Sequence, residues 1–193
     1  MDSICVFCGA NRGASPVFAA AARSLGALLA RRGVELVYGG GNVGLMGELA
    51  DAALAAGGQV TGVIPRALLD KELGHRGAQR LLVVESMHER KAKMAELSQA
   101  FVALPGGFGT FEEFCEVLTW SQLGFHDKPC ALLDVEGYWQ PLVALFDNAV
   151  KHGFLRAENR AIVLEESDPE RLLERLDSWR PARVDKWLSR GET

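Results

Sequence analysis

Basic charge is in short supply in this chain. Lysine and arginine number 21 against 25 aspartates and glutamates, for a formal net charge of −4. They are scattered rather than gathered into the patch that a long polyanion requires, which argues against a nucleic-acid partner. A small phosphorylated ligand needs only a few local donors and stays within reach. Long apolar runs are lacking too. No stretch of 18 or more apolar residues is present to span a bilayer. The opening MDSICVFCG has no basic segment followed by an apolar one, so no secretory leader is expected. A cytoplasmic protein without a membrane partner is the expectation. Only four cysteines occur, Cys5, Cys8, Cys115 and Cys130. Cys5 and Cys8 form a C-x-x-C with no second pair to complete a metal site. In a strand, residues three apart point to opposite faces, so these two are expected to be ordinary buried thiols. The four histidines, His75, His88, His126 and His152, have no ligand spacing either. No metal is expected. Repeats, low-complexity tracts and long linkers are absent as well. The 193 residues read as a single domain, 1–193, with a loose end after about Trp187.

What the chain does have is alternation. Short apolar, β-branched runs at Ile4–Phe7, Glu35–Tyr38, Val60–Ile64, Leu81–Val84, Ala100–Leu104, Cys130–Leu133 and Ala161–Leu164 predict strands. Amphipathic segments at Pro16–Arg32, Leu45–Ala56, Met87–Gln99, Phe111–Leu123, Trp139–His152 and Pro169–Trp179 predict helices. Strands that are apolar throughout and alternate with helices predict an α/β fold. It has a mostly parallel sheet of about seven strands, with helices on both faces. Ser15-Pro16 supplies an N-cap and a first-turn proline, and Gly33 and Gly153 stand where helix C-termini are expected. The irregular segment Pro65–Gln79 reads as a short helix and loop that covers a site. The four tryptophans, Trp120, Trp139, Trp179 and Trp187, read as core or interface residues.

Ligands of open α/β sheets bind outside the carboxyl ends of the strands. Three such ends are rich in glycine: Gly9–Gly13, Gly39–Gly47 and Gly106–Gly109. The first serves equally well as a ligand contact or as a plain strand-to-helix turn. The second holds a formal G-x-G-x-x-G at Gly39, Gly41 and Gly44. The next strand ends Val63-Ile64-Pro65 without the carboxylate that a dinucleotide's ribose requires, which disfavours NAD. The third, Pro105 to Glu113, turns a strand into a helix through three glycines, a geometry suited to phosphate. Thr110 and Glu113 also have capping-box spacing, an alternative account of those two residues alone. Glu112 and Glu113 diverge by about 100° on a helix, so at most one faces the site. A fourth signal is Met87-His88-Glu89-Arg90-Lys91, preceded by Ser86, whose spacing to Glu89 is also that of a capping box. The helical period places Met87, Arg90, Met94 and Leu97 on one inward stripe. A buried guanidinium needs an anion, either a ligand or a structural carboxylate. Cations at a helix N-terminus also oppose its dipole, which marks Arg90 and Lys91 as functional candidates.

These motifs resemble a known family. The M-x-x-R-K at Met87–Lys91 and the P-G-G-x-G-T-x-x-E at Pro105–Glu113 are signatures of the LOG proteins. These are cytokinin riboside 5′-monophosphate phosphoribohydrolases, long mislabelled as lysine decarboxylases. The likeness includes Tyr38–Gly41, Gly44–Gly47 and Trp120–Gly124 and runs from the first strand to about Leu164. Many relatives carry Ser-Ser where this chain has Ala10-Asn11. The resemblance implies a Rossmann-like fold, usually dimeric, that releases an adenine-type base from a nucleoside 5′-monophosphate and leaves ribose 5-phosphate. It places the catalytic pair on Arg90 and Glu113. Substrate contacts fall on Met87, Arg90, Lys91, Gly106, Gly107, Phe108, Gly109, Thr110, Phe111 and Glu112, and on Glu72 and Thr119. Gly9, Gly40, Gly41 and Gly44 complete the expected binding set. The partners implied are the small nucleotide and a second copy of the chain, with no cofactor. A pyridoxal-dependent decarboxylase would need a suitably placed lysine, and none is evident. A non-catalytic nucleotide carrier or sensor on the same fold is the alternative.

Overall fold

A computed structural model describes residues 1–69, 71, 74–75 and 77–181 of the chain. The elements run β1 (Ser3–Phe7), α1 (Pro16–Arg31), β2 (Glu35–Tyr38), α2 (Gly44–Ala55), β3 (Val60–Pro65), α3 (Arg66–Leu69), β4 (Arg80–Val84) and α4 (Met87–Leu97). They continue with β5 (Ala100–Ala103), α5 (Phe108–Leu123), β6 (Cys130–Leu133), α6 (Gln140–Lys151), α7 (Ala157–Arg160), β7 (Val163–Glu166) and α8 (Pro169–Ser178). The strands form one sheet in the order β4-β3-β2-β1-β5-β6-β7. Every pairing is parallel. Among the described residues no helix is long and apolar enough to cross a membrane.

The inner strands β1, β5 and β6 are buried along their whole length, whereas the edge strand β4 is partly exposed. This is the pattern of a sheet covered on both faces. One face packs Leu25 and Leu29 of α1, Leu49 of α2 and Leu172 of α8. The other packs Met94 of α4, Phe114 and Val117 of α5 and Val143 of α6. Cys5 lies in the second of these cores and Cys8 in the first, both as free thiols. The strand period predicts this division. Burial holds the Cys5 thiol well above its usual range, with the Glu113 carboxylate nearby adding to the effect.

Two helices and the last strand depart from the periodicity by two residues or more. Helix α5 begins at Phe108, three residues earlier than expected, because Gly109 enters the first turn despite its low helix propensity, with Gly107 as the N-cap. Helix α4 stops at Leu97. The Ser98 hydroxyl donates to the Met94 carbonyl at 2.8 Å, and the Gln99 amide is already engaged with the Ser3 carbonyl at 3.0 Å. The last strand starts at Val163 rather than Ala161, because a single turn, α7, takes up the preceding residues and the Ala161 amide bonds back to Ala157. Gly33 and Gly153 adopt positive φ past the ends of α1 and α6, as expected. The anticipated cover segment begins with α3. Its Asp70, Glu72, Leu73 and Arg76, and the C-terminal end with Trp187, lie outside the described residues.

Chain direction decides where a ligand can sit. The strand order reverses between β1 and β5, so the α1 and α5 crossovers leave on opposite faces and a crevice opens at the carboxyl ends of these two strands. Close contact between α1 and α2 supports that rim. A Cβ at Gly26 would collide with the Leu49 carbonyl and come 3.2 Å from the Ala53 amide. Alanine is the better helix former by about 0.8–1 kcal/mol, but overpacking costs about 1–3 kcal/mol. Gly26→Ala is expected to lower stability, read as a reduced urea midpoint with an unchanged m-value.

Candidate active site

Loops after three strands close over the crevice. The Gly9 amide donates to the Pro105 carbonyl at 3.0 Å and the Leu45 amide to the Gly9 carbonyl at 2.9 Å, which ties the ends of β1 and β5 to the start of α2. The backbones meet so closely that a Cβ at Gly106 would collide with Thr110 Oγ1 and approach the Gly9 amide at 2.8 Å. Beneath the loops lies a cavity of about 490 Å³. Gly106, Gly107, Gly109 and Thr110 form one wall, and Met46, Ile64, Leu68 and Met87 give another part of it an apolar lining.

Arg90 and Glu113 line the same cavity. Helix α4 starts at Ser86, whose hydroxyl accepts from the Glu89 amide at 3.1 Å, while the Glu89 carboxylate accepts from the Glu85 amide at 2.8 Å. This cap sets the helix phase, so Arg90 and Met94 turn inward as the periodicity predicts. Met87, on the same stripe, stays exposed at the cavity rim. Arg90 is only 8% exposed and Glu113 7%. Arg90 Nη2 donates to Glu113 Oε1 at 2.8 Å. Arg90 Nε is buried without a hydrogen-bond partner. The guanidinium occupies space left by Gly39, where a Cβ would collide with Nη2. Burial pushes the Glu113 carboxyl above the usual 4.5, Arg90 pulls it back, and the like charge of Glu112 adds to the rise. A buried ion pair is weak support for a fold. A buried pair with a spare donor in a cavity is a candidate for function.

The capping-box account of Thr110 and Glu113 fails. The N-cap of α5 is Gly107, with no side-chain hydrogen bond to the helix end, and both residues lie inside the helix. The first intrahelical bond runs from the Phe111 amide to the Gly107 carbonyl at 3.1 Å. The amides of Phe108, Gly109 and Thr110 precede it, as at any helix start, and serve an anion well. Among residues that the motifs did not single out, Tyr138 donates its hydroxyl to the Gly106 carbonyl and lines the cavity. It lies beyond β6, a fourth strand end, and only that placement rule pointed there. Arg12, Asn11 and Phe18 also line the cavity.

The structure brings Gly9, Gly41, Met87, Arg90, Gly106, Gly107, Gly109, Thr110 and Glu113 together around the cavity. Gly40, Gly44, Lys91, Phe108, Phe111, Glu112 and Thr119 do not line it. Gly40 and Gly44 adopt positive φ in the turn behind it. Lys91 is buried between Glu112 and Glu116, with Glu116 at 3.0 Å, and latches α4 to α5. Burial pulls its pKa down, but the two carboxylates outweigh that and raise it. The Thr119 hydroxyl donates to the Cys115 carbonyl at 2.8 Å, and Phe108 is 91% exposed. Glu72 lies outside the described residues. Among the described residues no cluster of histidine, cysteine, aspartate or glutamate is placed to hold a metal.

The family model described as possible lysine decarboxylase matches residues 46–176. A probable cytokinin riboside 5′-monophosphate phosphoribohydrolase of Oryza sativa subsp. japonica is 51% identical over 91% of this chain and 79% of its own. A cytokinin riboside 5′-monophosphate phosphoribohydrolase of Arabidopsis thaliana is 45% identical over 92% of this chain and 84% of its own. Among solved structures, the molybdenum cofactor binding protein of Rippkaea orientalis superposes with a TM-score of 0.70 at 26% identity. That match covers 92% of this chain and 96% of the other. The molybdenum cofactor carrier protein of Chlamydomonas reinhardtii gives 0.70 at 21% identity, covering 92% and 99%, and shares the fold. Among the described residues no lysine lines the cavity, so decarboxylation through a lysine-bound cofactor has no candidate there.

The gap at Gly39 is testable. In Gly39→Ala the guanidinium must withdraw, and Glu113 loses the charge that holds its pKa down. A further upward shift of the Glu113 carboxyl is expected in a ¹³C NMR titration of the variant against wild type. An unchanged titration would show that the gap does not hold the pair together.

Proposed function

Because the chain belongs to the LOG family of cytokinin riboside 5′-monophosphate phosphoribohydrolases, we propose that its cavity binds a nucleoside 5′-monophosphate and hydrolyses the N-glycosidic bond. The products are a free adenine-type base and ribose 5-phosphate. One observation carries the assignment of residues. A buried Arg90–Glu113 pair lines a cavity one wall of which is a helix start that no side chain caps.

In this reading the phosphate sits against the amides of Gly107 to Thr110, where the α5 dipole favours an anion. Glu113 follows Thr110 by about one helical turn, roughly 5 Å along the axis, which sets the reacting carbon beside its carboxylate. As the bond to the base breaks, its electron pair leaves with the base nitrogen and positive charge builds on the sugar. The Glu113 carboxylate stabilises that charge and accepts a proton from the attacking water. Arg90 keeps Glu113 ionised and turned inward. Its buried, unpartnered Nε–H is free to meet charge on the leaving base. Phosphate binding, remote from the broken bond, orients the sugar for attack. The apolar lining from Met46, Ile64, Leu68 and Met87 suits a prenylated adenine as well as adenine.

The solved molybdenum cofactor proteins favour a second reading, a carrier without turnover. Their identity of 21–26% is well below the 45–51% of the hydrolases over the same share of the chain, which ranks the enzyme first. The proposal includes a homodimer. Phe108, Glu112, Thr119 and Leu123 form an exposed stripe on α5, so predicted site residues outside the cavity share a face with exposed apolar ones. It also includes a cytoplasmic setting, where the four free cysteines stay reduced.

Purified protein incubated with AMP or isopentenyladenosine 5′-monophosphate is expected to release free base, resolved by chromatography. Glu113→Gln should lower kcat by about 10²–10⁴-fold while keeping nucleotide affinity, and Arg90→Ala should be equally impaired with its fold intact by circular dichroism. Binding without release in the wild type would leave the carrier reading. Glu113 acts ionised and its pKa is raised, so activity falls as pH drops through a value above the ordinary 4.5. The acid limb of kcat/KM is expected there and should vanish with Glu113→Gln. Sedimentation velocity checks the dimer: Leu123→Asp is expected to sediment as a monomer.

A further inference from the structure

A 5′-phosphate brings a charge of about −1.5 to −2 at neutral pH into a cavity with little charge to meet it. Among its described lining residues, the ionised side chains are Arg12, Arg90 and Glu113. Arg90 and Glu113 are committed to each other at 2.8 Å and cancel. The start of α5 offers the equivalent of about half a positive charge. The remaining cation is Arg12, at the edge of the Gly9–Gly13 loop.

That loop is held where it counts. Gly9 bonds to Pro105, beside Gly106, and a Cβ at Gly44 would come against the Ala10–Asn11 backbone. The Arg12 backbone therefore starts from a set place next to the phosphate wall. Its side chain, by contrast, is 71% exposed and, among the described residues, paired with Glu48, Nη2 to Oε1 at 2.6 Å. The other oxygen of Glu48 is taken by Arg23 at 2.6 Å. When Arg12 leaves, Glu48 keeps a partner, and an exposed ion pair is cheaply given up.

We propose that Arg12 is a substrate-binding residue that exchanges Glu48 for the 5′-phosphate. It closes over the mouth of the cavity and selects phosphorylated nucleosides over free ones. The inference rests on the nucleotide reading of the cavity and adds to it a residue that the family motifs do not contain. Guanidinium suits the role because its planar fork meets two phosphate oxygens at once. Glu48 serves as the parking place that keeps the side chain off the cavity until a stronger anion arrives.

The test compares wild type, Arg12→Ala and Arg12→Lys on AMP and on adenosine, with KM and kcat measured separately. Loss of a charge-assisted hydrogen bond predicts a KM for AMP raised about tenfold or more in Arg12→Ala, kcat nearly unchanged, and no change for adenosine. Arg12→Lys is expected to fall between, as a point charge without the fork. Glu48→Gln, which removes the competing anion, is expected to lower KM for AMP. An unchanged KM in Arg12→Ala, or an equal rise for AMP and adenosine, overturns the proposal. If the wild type releases no base, the hydrolase reading fails on its own. Calorimetric titration of AMP then decides Arg12 separately: equal Kd in wild type and Arg12→Ala overturns it, and about tenfold weaker binding in the variant upholds it.

Discussion

The buried pair of Arg90 and Glu113 is the constraint on which the rest of the site depends. A guanidinium at 8% exposure is tolerable only with a carboxylate beside it, and a carboxylate at 7% exposure only with a cation. Each neighbouring feature serves that meeting. The Ser86 cap sets the phase of α4, Gly39 leaves room for the guanidinium, and Lys91 latches α4 to α5 through Glu112 and Glu116. The early start of α5 puts Glu113 on the second turn, facing the cavity rather than folded back onto a helix end. Burial makes the carboxylate a stronger base than a solvated one, and Arg90 keeps it ionised.

Around this pair the fold supplies polarity in a particular order. At one side the amides of the uncapped α5 start favour a phosphate. The charged pair stands about one helical turn further in, and methionine and aliphatic side chains of α2, β3, α3 and α4 line an apolar part of the cavity. A nucleotide with phosphate, sugar and flat apolar base presents the same sequence of surfaces. The molybdenum cofactor proteins share this fold, and a fold by itself does not fix a chemistry. In the proposed function the ion pair is what turns that crevice toward hydrolysis.

Much of this was legible from local pattern. Apolar runs and helical stripes locate the seven strands and the six long helices of the described residues, because burial on both faces of a parallel sheet leaves a plain signature. The glycine-rich strand ends mark the ligand side, and the inward Arg90 follows from a period of 3.6 with a charge in the wrong place. The errors are local too. Gly107 and Gly109 disguised the first turn of α5, and the T-x-x-E spacing supplied a capping account for Glu113 that was sound in itself. The one-turn helices α3 and α7 are too short to carry a period.

The sequence by itself determined the class of fold, the edge of the sheet that binds, the family and the two residues of the pair. Each rests on short-range information: periodicity, glycine at turns, and motifs of a few contiguous residues. The tertiary structure alone decided the strand order and therefore the switch point. It decided that Arg90 meets Glu113, 23 residues away and across a strand. It turned Lys91 and Glu112, adjacent in their motifs to the buried pair, into a latch outside the cavity. It also brought Tyr138, which belongs to no motif, and Arg12, from the glycine-rich loop after β1, to the rim. The physical reason is common to all of these. They are encounters between segments distant along the chain, and only the packing of helices onto a twisted sheet specifies which side chains meet.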